Sequence, residues 1–397
     1  MCFLTFFCGY FCSVIGIVSC KYVIFADMKR LLILWIAVAC LSLSAQTKSE
    51  QFELLNSYFD SINLDFKRQE INAVFNEMVQ QKHFNGILLV AVDTHIVYKN
   101  VHGYADYTKK TKLTNASQYE LASVSKQFTA VAILQLYEQN RLQLTDTIGM
   151  YIKDFPYPDI TIHQLLCHRS GLPDYLEFTK MYHKNENYRL SNDSLLRMMQ
   201  SFQPPVLAAA GEKFEYSNTG YAMLALVVEQ VAQMPFHEYL KNNIFIPAGM
   251  THTFVWGKND FDKNGYTIGH KNGFRLYQRD FMSAIVGDKA VFSTAEDLFK
   301  WNKILYSDKI LKDTTLLLAY MPKHADCPLT QNYGYGWRLT RDNHNQEIIY
   351  HGGLWNGNNN MFMRRLKDRA CIVILSNCFN RSFGGRSDQI LDILYAL

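Results

Sequence analysis

From Arg68 onward the apolar residues fall into regular registers. Ile71, Val74, Phe75, Met78 and Val79 recur at helical intervals in RQEINAVFNEMVQQ and share one face of a helix. GILLVAV and HIVYKNV then flank Asp93-Thr94 and read as a hairpin of two apolar strands, although the turn is not of the Asn-Gly type. Ser123 to Asn140 is a third element. Its Val131, Ala132, Ile133, Leu134 and Leu136 leave so few polar positions that a helix here is buried on most sides.

From about 141 to 280 the pattern is one of helices and loops. Thr161 stands where it can cap ITIHQLLCH, and Gly171 and Pro173 end that helix at RSGLP. TGYAMLALVVEQVAQ is a further apolar helix. Strand patterns return in QEIIYHGG, in NMFMRRL and, after a Lys367-Asp368 turn, in RACIVILSN; SDQILDILYAL closes the chain as a helix. Strands therefore lie at both ends of the chain and helices between them. This predicts an α+β fold: an antiparallel sheet built from both chain ends, flanked by helices, with an inserted, mainly helical lobe over about 141–280. There is no internal repeat and no low-complexity segment.

Composition narrows the function. The chain has 397 residues, 48% of them hydrophobic and 14% aromatic, which suffices for a large core. Its formal net charge of +4 comes without a basic block, and the aromatics have no basic interleaving, so nothing here points to nucleic acid as a partner. At Met28-Lys29-Arg30 a short basic stretch precedes LLILWIAVACLSLSAQ, with small residues near Ala45. That order reads as a secretory signal cleaved after Ala45, with translation starting at Met28. Cys40, preceded by Ala37-Val38-Ala39, offers a lipid-anchored alternative. Residues 1–27 are apolar and cysteine-rich without a basic start; the alternative to an upstream start codon is a membrane anchor. The expected plan is a signal segment over 1–45, a polar leader over 46–66 and one folded domain over 67–397, exported to the periplasm or cell surface. Removing 1–45 takes away Lys21, Lys29, Arg30 and Asp27 and leaves the charge balance near neutral. Of the cysteines outside that segment, Cys371 in ACIVILSN reads as a buried thiol, not half of a disulfide. No Cys-x-x-Cys pair occurs, and neither a metal nor a cofactor is expected.

The candidate chemistry begins with a misplaced charge. In ELASVSKQFTAVAIL, Lys126 follows Ser123 by three residues inside a segment destined for burial. A buried ammonium is costly unless it is paired or loses its proton. A lysine amine can take a serine proton, and a serine at a helix start has a free backbone N–H to offer an oxyanion. Alone, the pair reads better as a capping serine and a surface lysine. Two further stretches change the balance. EYSNTGY puts Tyr216 and Asn218 in a loop before an apolar helix, and YHGGLWNG puts His351, Gly352 and Gly353 at a strand end where a ligand can approach the backbone. Singly, Tyr216 reads as a core tyrosine and His351 as a satisfied strand-end histidine. Together, in this order, they are hard to reconcile with accident. Other signals are blank: FHEYLKN has no second histidine one turn on, no Gly-x-Ser-x-Gly elbow occurs, and GGLWNGNNN has no following Lys-Ser or Lys-Thr.

This trio resembles the serine β-lactamase and penicillin-binding protein superfamily, in its class C β-lactamase-like branch with D-aminopeptidases and esterases. There Ser-x-x-Lys, Tyr-x-Asn and Lys-Thr-Gly or His-x-Gly occur in the same order. LLCHRSGLPDY, GEKFEYSNTGY, GDKAVFSTAEDLFKW and YGYGW are similar to the family as well, so the likeness covers roughly 70–397. It implies an acylated nucleophile at Ser123, a base shared by Lys126 and Tyr216, and an oxyanion hole from the N–H groups of Ser123 and Leu354. It implies substrate-binding roles for Asn218, His351, Gly353 and Leu354, with Asn218 also orienting Lys126. His351 stands where β-lactamases usually carry lysine. A histidine is mostly neutral at pH 7, which turns the expectation from β-lactams toward esters, peptides or another acyl substrate. The implied partner is a small-molecule or peptide-like acyl compound, and the implied function is an exported serine hydrolase. The alternatives are acyl transfer to an amine and a sensor that is acylated or occupied without turnover.

Overall fold

The computed structural model describes residues 48–182, 189–256, 266–329, 332–379 and 383–395. The signal segment expected over 1–45 lies outside the described residues. Contacts divide the chain into two units, Met1–Phe66 and Lys67–Leu397, and the second carries the fold.

Helix α1 (Lys48–Lys82) is longer than the apolar pattern and starts within the polar stretch expected as a leader. In its last third Ile71, Val74, Phe75 and Met78 are buried, and Val79 is half-buried. Phe75 meets Phe84 edge-on at 5.8 Å and Tyr98 at 6.2 Å, which ties the helix to the first hairpin.

That hairpin is β1 (Gly86–Val92) and β2 (His95–His102), with Asp93 at φ +50° supplying the turn. From the far end of the chain come β3 (Arg338–Arg341), β4 (Glu347–Trp355), β5 (Asn358–Arg365) and β6 (Ala370–Ser376). The six form one antiparallel sheet in the order β2-β1-β6-β5-β4-β3. β1 and β6 join the two chain ends in a register that sets Gly86 opposite Ser376 and Ala91 opposite Cys371. Every residue of β6 is buried, so the sheet is covered on both faces. Cys371 is a free buried thiol, and burial pushes it up to about 12.

Between the sheet's two halves run α2 (Lys126–Glu138), α3 (Ile162–Leu166) and α4 (Asn218–Ala232). Thr161 caps α3 with a capping box: its hydroxyl accepts from Gln164 N–H at 3.2 Å, and Gln164 Oε1 accepts from Thr161 N–H at 2.9 Å. α2 is buried from Lys126 to Leu136 and lies against α4. The chain does not enter α2 at Ser123 as the apolar pattern suggests. A short strand, Tyr119–Glu120, pairs with Val291–Ser293, and a 3-10 turn over Ala122–Ser125 then leads into the helix. Two- and three-residue strands have too little alternation to be seen in a sequence. Among the described residues no helix is long and apolar enough to cross a membrane.

Candidate active site

The turn that carries Ser123 is held from three sides. Leu121 N–H donates to Val291 O at 2.8 Å, Val291 N–H donates to Ser125 Oγ at 3.2 Å, and Asn360 Nδ2 donates to Glu120 O at 2.8 Å. Ala122 has φ +51°, a left-handed conformation that costs about 1–2 kcal/mol for a residue with a side chain. Those bonds hold it there, and Ser123 follows half-buried, with its backbone N–H in the first turn of the 3-10 segment, where no acceptor of that segment precedes it.

β4 runs beside this turn. Its pairing with β3 ends at Tyr350, so His351 to Trp355 lie beyond that partner, with the turn close by. Gly353 is required here: a Cβ would stand 2.1 Å from Leu121 O and 3.2 Å from the Ala122 Cβ. The backbone that approaches the Cβ side of Gly353 is therefore the protein's own. Gly352 is under no such demand, since its nearest neighbours would be 3.7 and 3.9 Å away. Leu354 is 54% exposed at the open end.

Lys126 is fully buried, and its Nζ lies 3.2 Å from Ser123 Oγ, 2.7 Å from Asn218 Oδ1 and 3.0 Å from Asp288 O. The two carbonyl oxygens can only accept. A neutral amine has two N–H bonds, and those carbonyls take both, which leaves its lone pair directed at the serine hydroxyl. The ammonium form fills the same three directions with three donors. This geometry suits a group that gains and loses one proton without moving. Asn218 is fixed in turn, because its Nδ2 donates to Asp174 Oδ2 at 2.8 Å and its backbone N–H reaches the same oxygen at 3.1 Å. Burial holds the Asp174 carboxyl above the usual range. Behind Asp288, Tyr175 donates to its Oδ2 at 2.8 Å, and buried Lys289 bonds Tyr175 and pairs with Asp288 at 3.6 Å.

Tyr216 comes from the loop before α4. Lys126 Nζ lies 5.0 Å from its ring centroid, and the Arg338 guanidinium lies 5.5 Å from the same ring on its own approach. Its hydroxyl makes no hydrogen bond among the described residues. His351 is nearby, with its ring 6.4 Å from that of Tyr216, but both its nitrogens are occupied. Nδ1 is 2.6 Å from Gly352 O and Nε2 is 3.0 Å from the Tyr333 hydroxyl. A carbonyl cannot donate, so Nδ1 carries the proton and Nε2 accepts from Tyr333. Burial, then the charge of Lys126, holds the imidazole well below its usual value, so it is neutral.

The structure thus joins Ser123, Lys126 and Asn218 by direct bonds, sets Tyr216 and His351 beside them, and brings Gly353 against the serine turn, with exposed Leu354 next in the strand. Sequence reasoning missed Asp174, the Asp288 carbonyl and Tyr333. Asp174 lies in LLCHRSGLPDY, Asp288 in GDKAVFSTAEDLFKW and Tyr333 in YGYGW, but nothing in the spacing showed that they converge. Among the described residues there is no cluster able to hold a metal ion.

The sequence profile of the family described as Beta-lactamase matches residues 71–396. This chain belongs to that family. Penicillin-binding protein 4* of Bacillus subtilis (strain 168) is 31% identical to it over 326 residues, covering 78% of this chain and 72% of that protein. A penicillin-binding protein structure from Bacillus halodurans matches this β-lactamase-family fold with a TM-score of 0.71 at 24% identity, covering 81% of this chain and 98% of the other. D-amino acid amidase from Ochrobactrum anthropi SV3 matches with a TM-score of 0.69 at 21% identity, covering 82% and 98%. At these identities the structures establish the fold, a mixed helical and antiparallel-sheet architecture. EstCE1, described as a hydrolase with promiscuous acyltransferase activity, matches the same fold with a TM-score of 0.71 at 22% identity, covering 85% of this chain and 100% of the other.

Proposed function

We propose that the protein is an exported serine hydrolase that works through an acyl-Ser123 intermediate on an ester, amide or β-lactam-like substrate. The observation that carries the reading is the double hold on Lys126 by Asn218 Oδ1 and Asp288 O, which leaves the third direction of its amine for Ser123. In acylation Ser123 Oγ bonds the substrate carbonyl carbon, and its proton passes by way of Lys126 and Tyr216 to the departing group as the old bond breaks. The N–H groups of Ser123 and Leu354 receive the developing oxyanion. In deacylation water bonds the same carbon, the serine oxygen leaves, and a water proton returns to it by the reverse path. Asn218 keeps Lys126 in line, Gly353 lets the strand approach, and His351 shapes the wall beside Tyr216.

A panel of a chromogenic β-lactam, p-nitrophenyl esters and D-amino-acid amides tests the reading. We expect catalytic product release from at least one class, with an adduct on Ser123 that does not accumulate. An adduct that persists with every class, without product, would make the protein a sensor. Export is supported by the basic-apolar-small order from Met28 alone. The secreted protein is expected to begin at Gln46, which N-terminal sequencing reads; a start at Met1 or a lipid on Cys40 would contradict it.

Substrate preference turns on His351. As a neutral side chain it offers no permanent cation to a substrate carboxylate, which favours neutral esters and peptides. His351→Lys should raise kcat/KM for a carboxylate-bearing β-lactam relative to a neutral ester, on the order of 10-fold, the scale of one hydrogen bond to a charged group. An unchanged ratio between the two substrates would show that His351 does not set the preference.

A further inference from the structure

We infer that His168 is a positioning residue for Tyr216: its ring and its backbone and side-chain acceptors hold the phenol where a leaving group takes its proton. The inference rests on the role of Tyr216 proposed above. His168 follows α3 and turns the chain with φ +58°. From there it brackets Tyr216 on both chain sides. Its carbonyl accepts from Glu215 N–H at 2.8 Å, and its Nδ1 accepts from Ser217 N–H at 3.2 Å. Its ring packs against the Tyr216 ring at 4.2 Å, tilted by 32°.

The imidazole is itself fixed. It is 1% exposed, lies 5.1 Å from the Tyr221 ring, and meets Tyr333 edge-on at 4.7 Å. Tyr221 is anchored by its hydroxyl to Leu166 O at 2.7 Å. An acceptor at Nδ1 requires the neutral ring with its proton on Nε2, and that donor is buried without a partner among the described residues. Burial, then the charge of Lys126, keeps the ring neutral by holding it well below the usual histidine value. A leucine of similar volume would fill the space without a buried, unsatisfied donor, which costs about 1–3 kcal/mol. What a leucine lacks is the acceptor for Ser217 and the flat face for Tyr216. The Tyr216 hydroxyl has no hydrogen bond among the described residues to hold it, so its placement depends on these contacts.

A leaving-group comparison tests this. Two substrates share one acyl group: a p-nitrophenyl ester, whose anion departs without a proton, and an alkyl ester, whose alkoxide needs one. kcat/KM reports acylation for both. Tyr216→Phe sets the scale, since loss of a general acid is worth on the order of 10²–10⁴-fold on the alkyl ester. His168→Phe keeps a flat ring without the acceptor, and His168→Asn keeps an acceptor without the ring. Both are expected to lower the alkyl ester rate at least ~10-fold more than the p-nitrophenyl rate, in the same sense as Tyr216→Phe but less. Equal loss on both substrates, or an unchanged ratio, would overturn the inference and leave His168 a packing residue. If His168→Asn does not fold, His168→Phe, apolar and similar in shape, decides alone. Non-selective loss in Tyr216→Phe itself would remove the proposed role of Tyr216, and the inference with it. Selective loss there beside non-selective histidine variants would overturn the inference only.

Discussion

Ser123→Ala is expected to abolish covalent labelling by a fluorophosphonate or a slow β-lactam, seen as loss of the adduct mass. Turnover should fall on the order of 10⁶-fold, the scale known for serine nucleophiles. The structure makes this a clean test. Ser123 is half-buried, and its hydroxyl is bonded to Lys126 at 3.2 Å. The turn around it is pinned through Leu121, Ser125 and Glu120, none of which depends on that hydroxyl. The stability cost should therefore be no more than that of one lost partner for the buried amine, about 1–3 kcal/mol. An adduct of unchanged mass yield would place the nucleophile elsewhere.

Lys126→Met separates chemistry from packing. The thioether fills much of the lysine's volume but neither accepts the serine proton nor donates to Asn218 Oδ1 and Asp288 O. Acylation of the folded fraction should fall on the order of 10³-fold or more, while binding of a non-reactive ligand persists. Two buried carbonyls lose a donor, so the melting temperature should fall as well, by the equivalent of about 1–3 kcal/mol per unsatisfied group. A lysine on the rim of the core would predict the reverse: a few tenths of a kcal/mol and untouched acylation. Normal acylation kinetics in a folded Lys126→Met protein would dismiss the proton path proposed here.

The reach of the sequence follows from what each feature looks like one residue at a time. The apolar runs of β1, β4, β5 and β6 are long enough to be read, and their places at the two chain ends led to a shared antiparallel sheet. Ser123, Lys126, Tyr216, Asn218 and His351 were visible because their residue types are out of place in apolar or glycine-rich surroundings. The entry to α2 was not. Nothing in ELASVSK announces that Ala122 takes φ +51°, because the bonds that hold it come from Val291 and Asn360, far along the chain. Asp174 was equally hidden. A Pro-Asp-Tyr in a loop reads as a turn, and only the fold brings its carboxylate to the amide of Asn218. His351 was read as neutral from its ordinary titration range. The structure adds the reason it stays so: burial, and both ring nitrogens already committed to Gly352 and Tyr333.

The seam between β1 and β6 governs how such a molecule is made. Gly86 pairs with Ser376, so two adjacent strands in the body of the sheet come from opposite ends of synthesis. Long-range pairing of this kind defers its reward until the intervening loop is closed, which slows folding. Until β6 exists, the buried stretch Leu88–Ala91 of β1 has no neighbour on that side and presents an open apolar edge to other chains. A chain shortened before Ala370 would keep that edge for life and is a candidate for aggregation, whatever remains of its Ser123 site. A circular permutant that joins the two ends and opens an exposed loop of the helical lobe would leave only the terminal helices between β6 and β1, shortening the loop that their pairing must close.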